Sequence, residues 1–253
     1  MYFDSHAHYD DERFDEDREN LLEGLKEKGV DFVVNAAADM ASCHTSLALA
    51  KKYPFVYCSI GVHPHDVKSL TENDLETMKQ LAQEDKVVAI GEIGLDYYYD
   101  NSPREDQRNW FMKQLLLAKE LDLPVIIHSR EASQETFDMI MESGVKEGVI
   151  HCFSGSYELA KEYVKRGFYL GIGGALTFKN AKKTVEVVEH IDLKHLVIET
   201  DCPYLTPVPH RGNRNDSSYL KFVVEKIAEI KGISMDEVSS ITCQNAKDLF
   251  GIK

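Results

Sequence analysis

Eight short apolar runs rich in β-branched residues punctuate this chain, at 2–6, 32–35, 56–60, 87–90, 125–128, 149–151, 169–172 and 196–199. Between them lie longer segments of helical period, among them 18–28, 72–83, 107–121, 133–142, 158–166 and 182–190. Such alternation predicts repeated strand–helix units. The strand runs are apolar throughout rather than apolar on every second residue. That pattern suits strands covered on both faces in a parallel sheet. Eight units predict an α/β fold, a single (β/α)8 TIM-type barrel; an open doubly wound sheet is the alternative, because periodicity does not report closure. A length of 253 residues suits one barrel, and no Pro/Gly/Ser-rich linker interrupts the pattern, so 1–253 reads as one domain. Ser234-Met235-Asp236-Glu237 is a capping-box pattern that predicts an extra C-terminal helix running to about Leu249. The stretch 203–217, with Pro203, Pro207, Pro209 and Gly212, predicts a loop over the end of the eighth strand.

Charge and cysteine usage narrow the function classes. With 43 acidic residues against 29 Lys and Arg, the formal charge is −14. This argues against broad, charge-driven adhesion to nucleic acid or anionic membrane, but leaves room for a local phosphate site. Five cysteines, at 43, 58, 152, 202 and 243, form no CxxC pair and no disulfide framework. No apolar run reaches the ~18–20 residues that span a bilayer, and the first residues lack the basic and apolar segments of a secretory signal. A cytoplasmic protein without a membrane role is expected, and no obligate protein partner is inferred.

Metal-ligating residue types collect at the strand ends. His6 and His8 are two apart where the first strand ends, a spacing that on a strand projects both imidazoles to one face. The fourth strand finishes in Gly91-Glu92, the fifth in His128, the sixth in His151 and the eighth in Glu199-Thr200-Asp201. In a barrel these ends share the rim where barrel enzymes place their chemistry. Four histidines and two carboxylates there offer nitrogen and oxygen ligands suited to divalent ions. The residues by themselves point to a metal-dependent hydrolase.

The same residues fall in a series of motifs. Asp4-Ser5-His6-Ala7-His8, Gly61-Val62-His63-Pro64, Gly91-Glu92-Ile93-Gly94-Leu95-Asp96-Tyr97, His128-Ser129-Arg130, His151-Cys152-Phe153-Ser154-Gly155 and Glu199-Thr200-Asp201-Cys202-Pro203-Tyr204-Leu205 resemble, in order, those of the TatD family. That family is a branch of the metal-dependent amidohydrolase superfamily described as deoxyribonucleases. The resemblance implies a distorted (β/α)8 barrel with two divalent ions, magnesium or manganese, with zinc as the alternative. His6, His8, Glu92 and Asp201 would bind one ion; Glu92, His128 and His151 would bind the other, with Glu92 bridging. The implied substrate is DNA, as single strands or ends. Asp201 would take the proton of the attacking water, or else serve as a ligand alone. His63 resembles a substrate-binding position, and Arg211 could clamp a phosphate by its planar fork. Beyond Arg211 the chain reads Asn213-Arg214-Asn215-Asp216-Ser217 and departs from the family pattern.

Other residues near these motifs admit two readings. Glu199 either orients a ligand histidine or belongs to the rim. Tyr97 to Tyr99 either stack bases or anchor a loop. Cys152 and Cys202 read as small buried hydrophobes, and His44, His190 and His195 as surface residues. Two other function classes stay open: hydrolysis of amides, lactones or small phosphoesters at the same site, and a non-catalytic binding or scaffold protein. Arg211, Arg214 and Lys221, in or near the loop, would favour nucleic acid if they line the rim.

Overall fold

The computed structural model describes residues 1–253. Eight strands appear: β1 (Tyr2–Ala7), β2 (Val30–Asn35), β3 (Val56–Ile60), β4 (Val87–Asp96), β5 (Val125–Arg130), β6 (Gly148–Ile150), β7 (Tyr169–Ile172) and β8 (Leu196–Ile198). The helices are α1 (Arg18–Glu23), α2 (Met40–Lys52), α3 (Glu72–Leu81), α4 (Arg104–Leu121), α5 (Ser133–Ser143), α6 (Tyr157–Lys165), α7 (Lys182–His190), α8 (Leu220–Lys231) and α9 (Met235–Phe250). The strand order is β1 to β8 in sequence. This is the order of the (β/α)8 barrel that the alternation predicts, with α9 as the additional C-terminal helix. No helix is long and apolar enough to cross a membrane.

The chain divides into two compact units, Met1–Asn35 with His151–Lys253, and Ala36–Ile150. In the first, β1 pairs in parallel with β2, and β7 with β8. The chain just past β8 also returns to β1: Ala7 bridges Cys202, His8 N donates to Cys202 O at 2.8 Å and Asp201 N donates to His6 O at 2.9 Å. An open doubly wound sheet, in which the first and last strands do not meet, is thereby excluded. Helix α9 packs on β1 and β8, and its Phe250 stacks on Phe3 with ring centroids 5.9 Å apart. Ser234 caps α9, its Oγ accepting from Glu237 N as the capping pattern predicts.

In the second unit, β3 to β6 pair in parallel in sequence order. Strand β4 is longer than the sequence suggests and buried along all ten residues. Gly91 and Gly94 read as strand breakers, yet here they let two backbones close up. A Cβ at Gly94, where φ is +150°, would lie 1.9 Å from the carbonyl oxygen of His128. The strand therefore runs past both glycines and carries Glu92 and Asp96 within it. Helix α2 begins at a reciprocal cap, with Ser42 N donating to Asp39 Oδ1 at 2.6 Å and Asp39 N donating to Ser42 Oγ at 2.7 Å. Its small residues on several faces blur the apolar stripe that periodicity needs.

A buried polar network ties β1 to the segment after β8. Asp4, fully buried, accepts from Thr200 N at 2.9 Å, Thr200 Oγ1 at 2.6 Å and Ser217 Oγ at 2.6 Å, and Ser217 Oγ lies 2.7 Å from Tyr9 OH. Burial pushes the Asp4 carboxyl up to about 7, against the hydrogen bonds from Ser217 and Thr200 that favour the anion. The folded chain thus holds a proton that the unfolded chain releases near pH 4. The resulting stabilisation is complete below pH 4 and disappears as pH rises through 7, an effect on the order of 4 kcal/mol. Asp4→Asn cannot titrate. The unfolding free energy of the wild type, minus that of the variant, is expected to fall between pH 4 and pH 8 in urea titrations. A constant difference would refute the assignment.

Candidate metal centre

In the first unit the exchange of backbone hydrogen bonds between residues 6–8 and residues 201–202 sets Asp201 beside His6 of β1 and His8, the residue just past its end. His6 Nε2 and His8 Nε2 lie 3.1 Å apart, and Asp201 Oδ1 is 3.8 Å from the first and 3.4 Å from the second. Donors held at ~2.1 Å around one ion stand about 3.0–3.4 Å from one another in octahedral or tetrahedral geometry. Two of the three separations fall in that range and the third, His6 to Asp201 at 3.8 Å, is longer; with two imidazoles and one carboxylate the group could take a divalent ion. Burial pushes the Asp201 carboxyl up, but the hydrogen bond with His8 and the nearness of His151, His6 and His8 outweigh it and hold the group below its ordinary value. Asp201 adopts a left-handed backbone conformation, with φ +56°, uncommon outside glycine. Thr200, its neighbour, is the residue fastened to Asp4.

His151 stacks on His6 with ring centroids 4.0 Å apart and 16° between planes. Glu199, fully buried, accepts from Cys152 N at 2.6 Å through Oε1, and that oxygen lies 3.5 Å from His151 Nδ1. The carboxylate fills space that only glycine leaves: a Cβ at Gly171 would fall 2.2 Å from Glu199 Oε2. Of the two readings of Glu199, the one that places it behind His151 matches this arrangement. Cys202 is buried as expected, whereas Cys152 is part-exposed, with φ +47° at the turn that follows His151.

In the second unit Glu92 lies between two imidazoles, its Oε1 3.0 Å from His128 Nδ1 and 3.6 Å from His63 Nε2. His63, Glu92 and His128 offer ligand atoms within 4.8 Å of one another, a second group that could hold an ion. Their tautomers separate the two histidines. His128 Nε2 lies 3.1 Å from Asp96 Oδ2, so a proton donated there leaves the Nδ1 lone pair facing Glu92, as an ion requires. His63 Nδ1 accepts from His65 N at 3.2 Å, which places the proton on Nε2, facing Glu92. His63 is thus arranged as a donor toward Glu92.

Asp96 and His65 have no role in the sequence reading. Asp96 Oδ2 also lies 3.0 Å from His65 Nε2, and its Oδ1 accepts from the backbone N–H of Tyr98 and Tyr99. Burial pushes this carboxyl up, but the hydrogen bonds with His128, Tyr99 N and His65 hold it well below the usual carboxylate range. It is an anion that orients His128. A second histidine two residues after His63 was the available signal for this group.

The loop residues are less free than the sequence suggests. Arg211 donates from Nη1 to Thr206 O at 2.9 Å and lies over the Phe178 ring at 4.1 Å. Arg214 forms a two-pronged pair with Asp17, at 2.8 and 2.6 Å, so its charge is already matched.

The model of the family described as TatD related DNase matches residues 3–251. The chain is 47% identical over 254 residues to YabD of Bacillus subtilis, named as a metal-dependent hydrolase, with all of both chains covered. It is 35% identical to YcfH of Escherichia coli, named likewise, over 98% of this chain and 95% of that one. Among solved structures, the TatD homologue YjjV of Escherichia coli aligns with a TM-score of 0.94 and 32% identity, covering 100% of this chain and 98% of that one. With eight parallel strands in barrel order, groups that could hold a metal ion near their C-terminal ends and a family match across nearly every residue, this chain belongs to the TatD family of metal-dependent hydrolases.

Proposed function

We propose that this protein is a deoxyribonuclease that hydrolyses phosphodiester bonds of single-stranded DNA or DNA ends with two divalent ions, magnesium or manganese. The observation that carries the reading is the His6–His8–Asp201 group, whose spacing suits one ion and whose carboxylate is held as an anion beside it. The family description as a DNase supports the choice of substrate. In this reading His6, His8, Glu92 and Asp201 would hold one ion and Glu92, His128 and His151 the other. Bound there, the ions would lower the pKa of a water and neutralise charge on the phosphoryl oxygens.

The chain's own groups supply the remaining parts. Asp201 accepts the proton of the attacking water. Asp96 keeps His128 in the tautomer that presents Nδ1. His63 would donate from Nε2 toward a phosphoryl oxygen of the substrate. Glu199 fixes the turn that carries His151.

The test uses metal-stripped protein and an end-labelled single-stranded oligonucleotide, with and without added magnesium or manganese. Cleavage is expected only with metal, and activity is expected to scale with metal content. Hydrolysis of small phosphoesters or lactones by the metal-loaded protein, with DNA left intact, would overturn the nuclease and favour the small-molecule reading.

A further inference from the structure

The end of β4 carries a feature that the chemistry above does not use. Tyr98 and Tyr99 lie two and three residues past Asp96, the last residue of β4, and are 58% and 54% exposed. Their rings meet edge to face, with centroids 4.9 Å apart and planes at 90°. The Arg130 guanidinium, carried beside them because Asp96 pairs with Arg130 in the β4–β5 ladder, lies 4.0 Å from the Tyr98 centroid and 4.7 Å from that of Tyr99. A loop anchor buries its rings; these two are more than half open to solvent.

Arg130 also differs from the arginines nearby. Arg104 is held two-pronged by Asp100, and Arg108 is 3.7 Å from Glu135. Arg130 has aromatic faces beneath it and no carboxylate partner, on a chain with formal charge −14. The patch adjoins the site without a gap: the Tyr99 ring meets that of His65 at 5.3 Å, and His65 shares Asp96 with His128.

We infer that Tyr98, Tyr99 and Arg130 form a subsite for a nucleotide flanking the scissile phosphate, with a base stacked on the tyrosine rings and Arg130 on the adjoining phosphate. Aromatic rings grip any unpaired base through its π-face, whereas the bases of a duplex are already stacked on one another. Arg suits the phosphate because its planar fork stacks on a ring and pairs with oxygens together. The subsite therefore selects single-stranded substrate without reading its sequence. The inference rests on the nuclease reading, and its test separates the two.

Binding is measured by anisotropy on full-length Asp201→Asn protein without added metal, so that the strand is held but not cut. Two labelled oligonucleotides of one length are compared, one of thymidines and one with abasic residues at successive positions. The thymidine strand is expected to bind about tenfold tighter. Adding Tyr98→Ala and Tyr99→Ala is expected to bring that ratio to near one. Tyr98→Phe with Tyr99→Phe is expected to keep it, since the ring and not the hydroxyl does the stacking. A ratio near one before any tyrosine is changed overturns the subsite, and so does a ratio that survives the double alanine variant. Cleavage of the thymidine strand by the unaltered enzyme is scored separately. A preserved binding ratio with no cleavage would retire the nuclease reading and leave the subsite standing.

Discussion

Asp201→Asn is expected to lower kcat for DNA hydrolysis by about 10³-fold, within the range that positioned proton acceptors contribute. The substitution keeps the size of the side chain and an oxygen near His8, 3.4 Å from the present Oδ1. It removes the negative charge that the surrounding histidines hold in place. A ligand role and a base role predict different responses to metal. If Asp201 only ligated, the variant would bind metal weakly and regain activity as manganese is raised. If it accepts the proton, activity stays low at saturating metal, because an amide oxygen is a far poorer base than a carboxylate. The base role is expected to hold, with kcat low at every manganese concentration and metal content recovered at the higher ones. Recovery of kcat to within tenfold of the wild type would reduce Asp201 to a ligand. Cleavage unchanged at all concentrations would place the chemistry elsewhere.

The part of this centre legible in the sequence is the part written in local spacing. His6, on β1, and His8, just past its end, stand two apart, and the extended spacing that sends such a pair toward one face leaves their Nε2 atoms 3.1 Å apart. Strand count and order were legible for the same reason, since each apolar run is a local signal. Groups that depend on register were not. Asp96 faces His128 only because Gly94 lets β4 approach β5 and brings Gly94 level with His128. Before that pairing exists, Gly91 and Gly94 look like the end of a strand.

Charge pairing over long separations was equally hidden. Arg214 reads as a rim cation, yet it pairs with Asp17, 197 positions away. Asp4 reads as part of a histidine motif, and its burial beneath Thr200 and Ser217 follows from the meeting of β1 with the segment after β8. In each case the missing information is which distant backbone comes alongside, and composition and periodicity do not carry it.

Glu92→Gln tests the second ligand group by a measurement that needs no substrate. Glu92 is nearly buried, with His128 Nδ1 and His63 Nε2 on either side of its Oε1. Glutamine preserves the volume and keeps an oxygen for the His63 proton, so the metal-free fold is expected to lose less than about 1 kcal/mol. What it removes is the anion, and with it most of the attraction for a divalent ion. At a free manganese concentration a hundredfold above Kd, binding adds about 2.7 kcal/mol to the stability of the wild type. For a chain of this length that is a rise in Tm of roughly 5–10 °C. In Glu92→Gln, affinity is expected to fall at least a hundredfold, beyond the 10–100-fold cost of losing an outer partner. The same manganese should then raise Tm by no more than about 2 °C. Thermal scans with and without manganese read both effects on one sample. A full rise in the variant would show that Glu92 is not a ligand, whereas a low Tm without metal would mean that the carboxylate is needed to hold His63 and His128 in place. The two outcomes are separable because Asp96 and the His65 amide still orient those histidines when the Glu92 charge is gone.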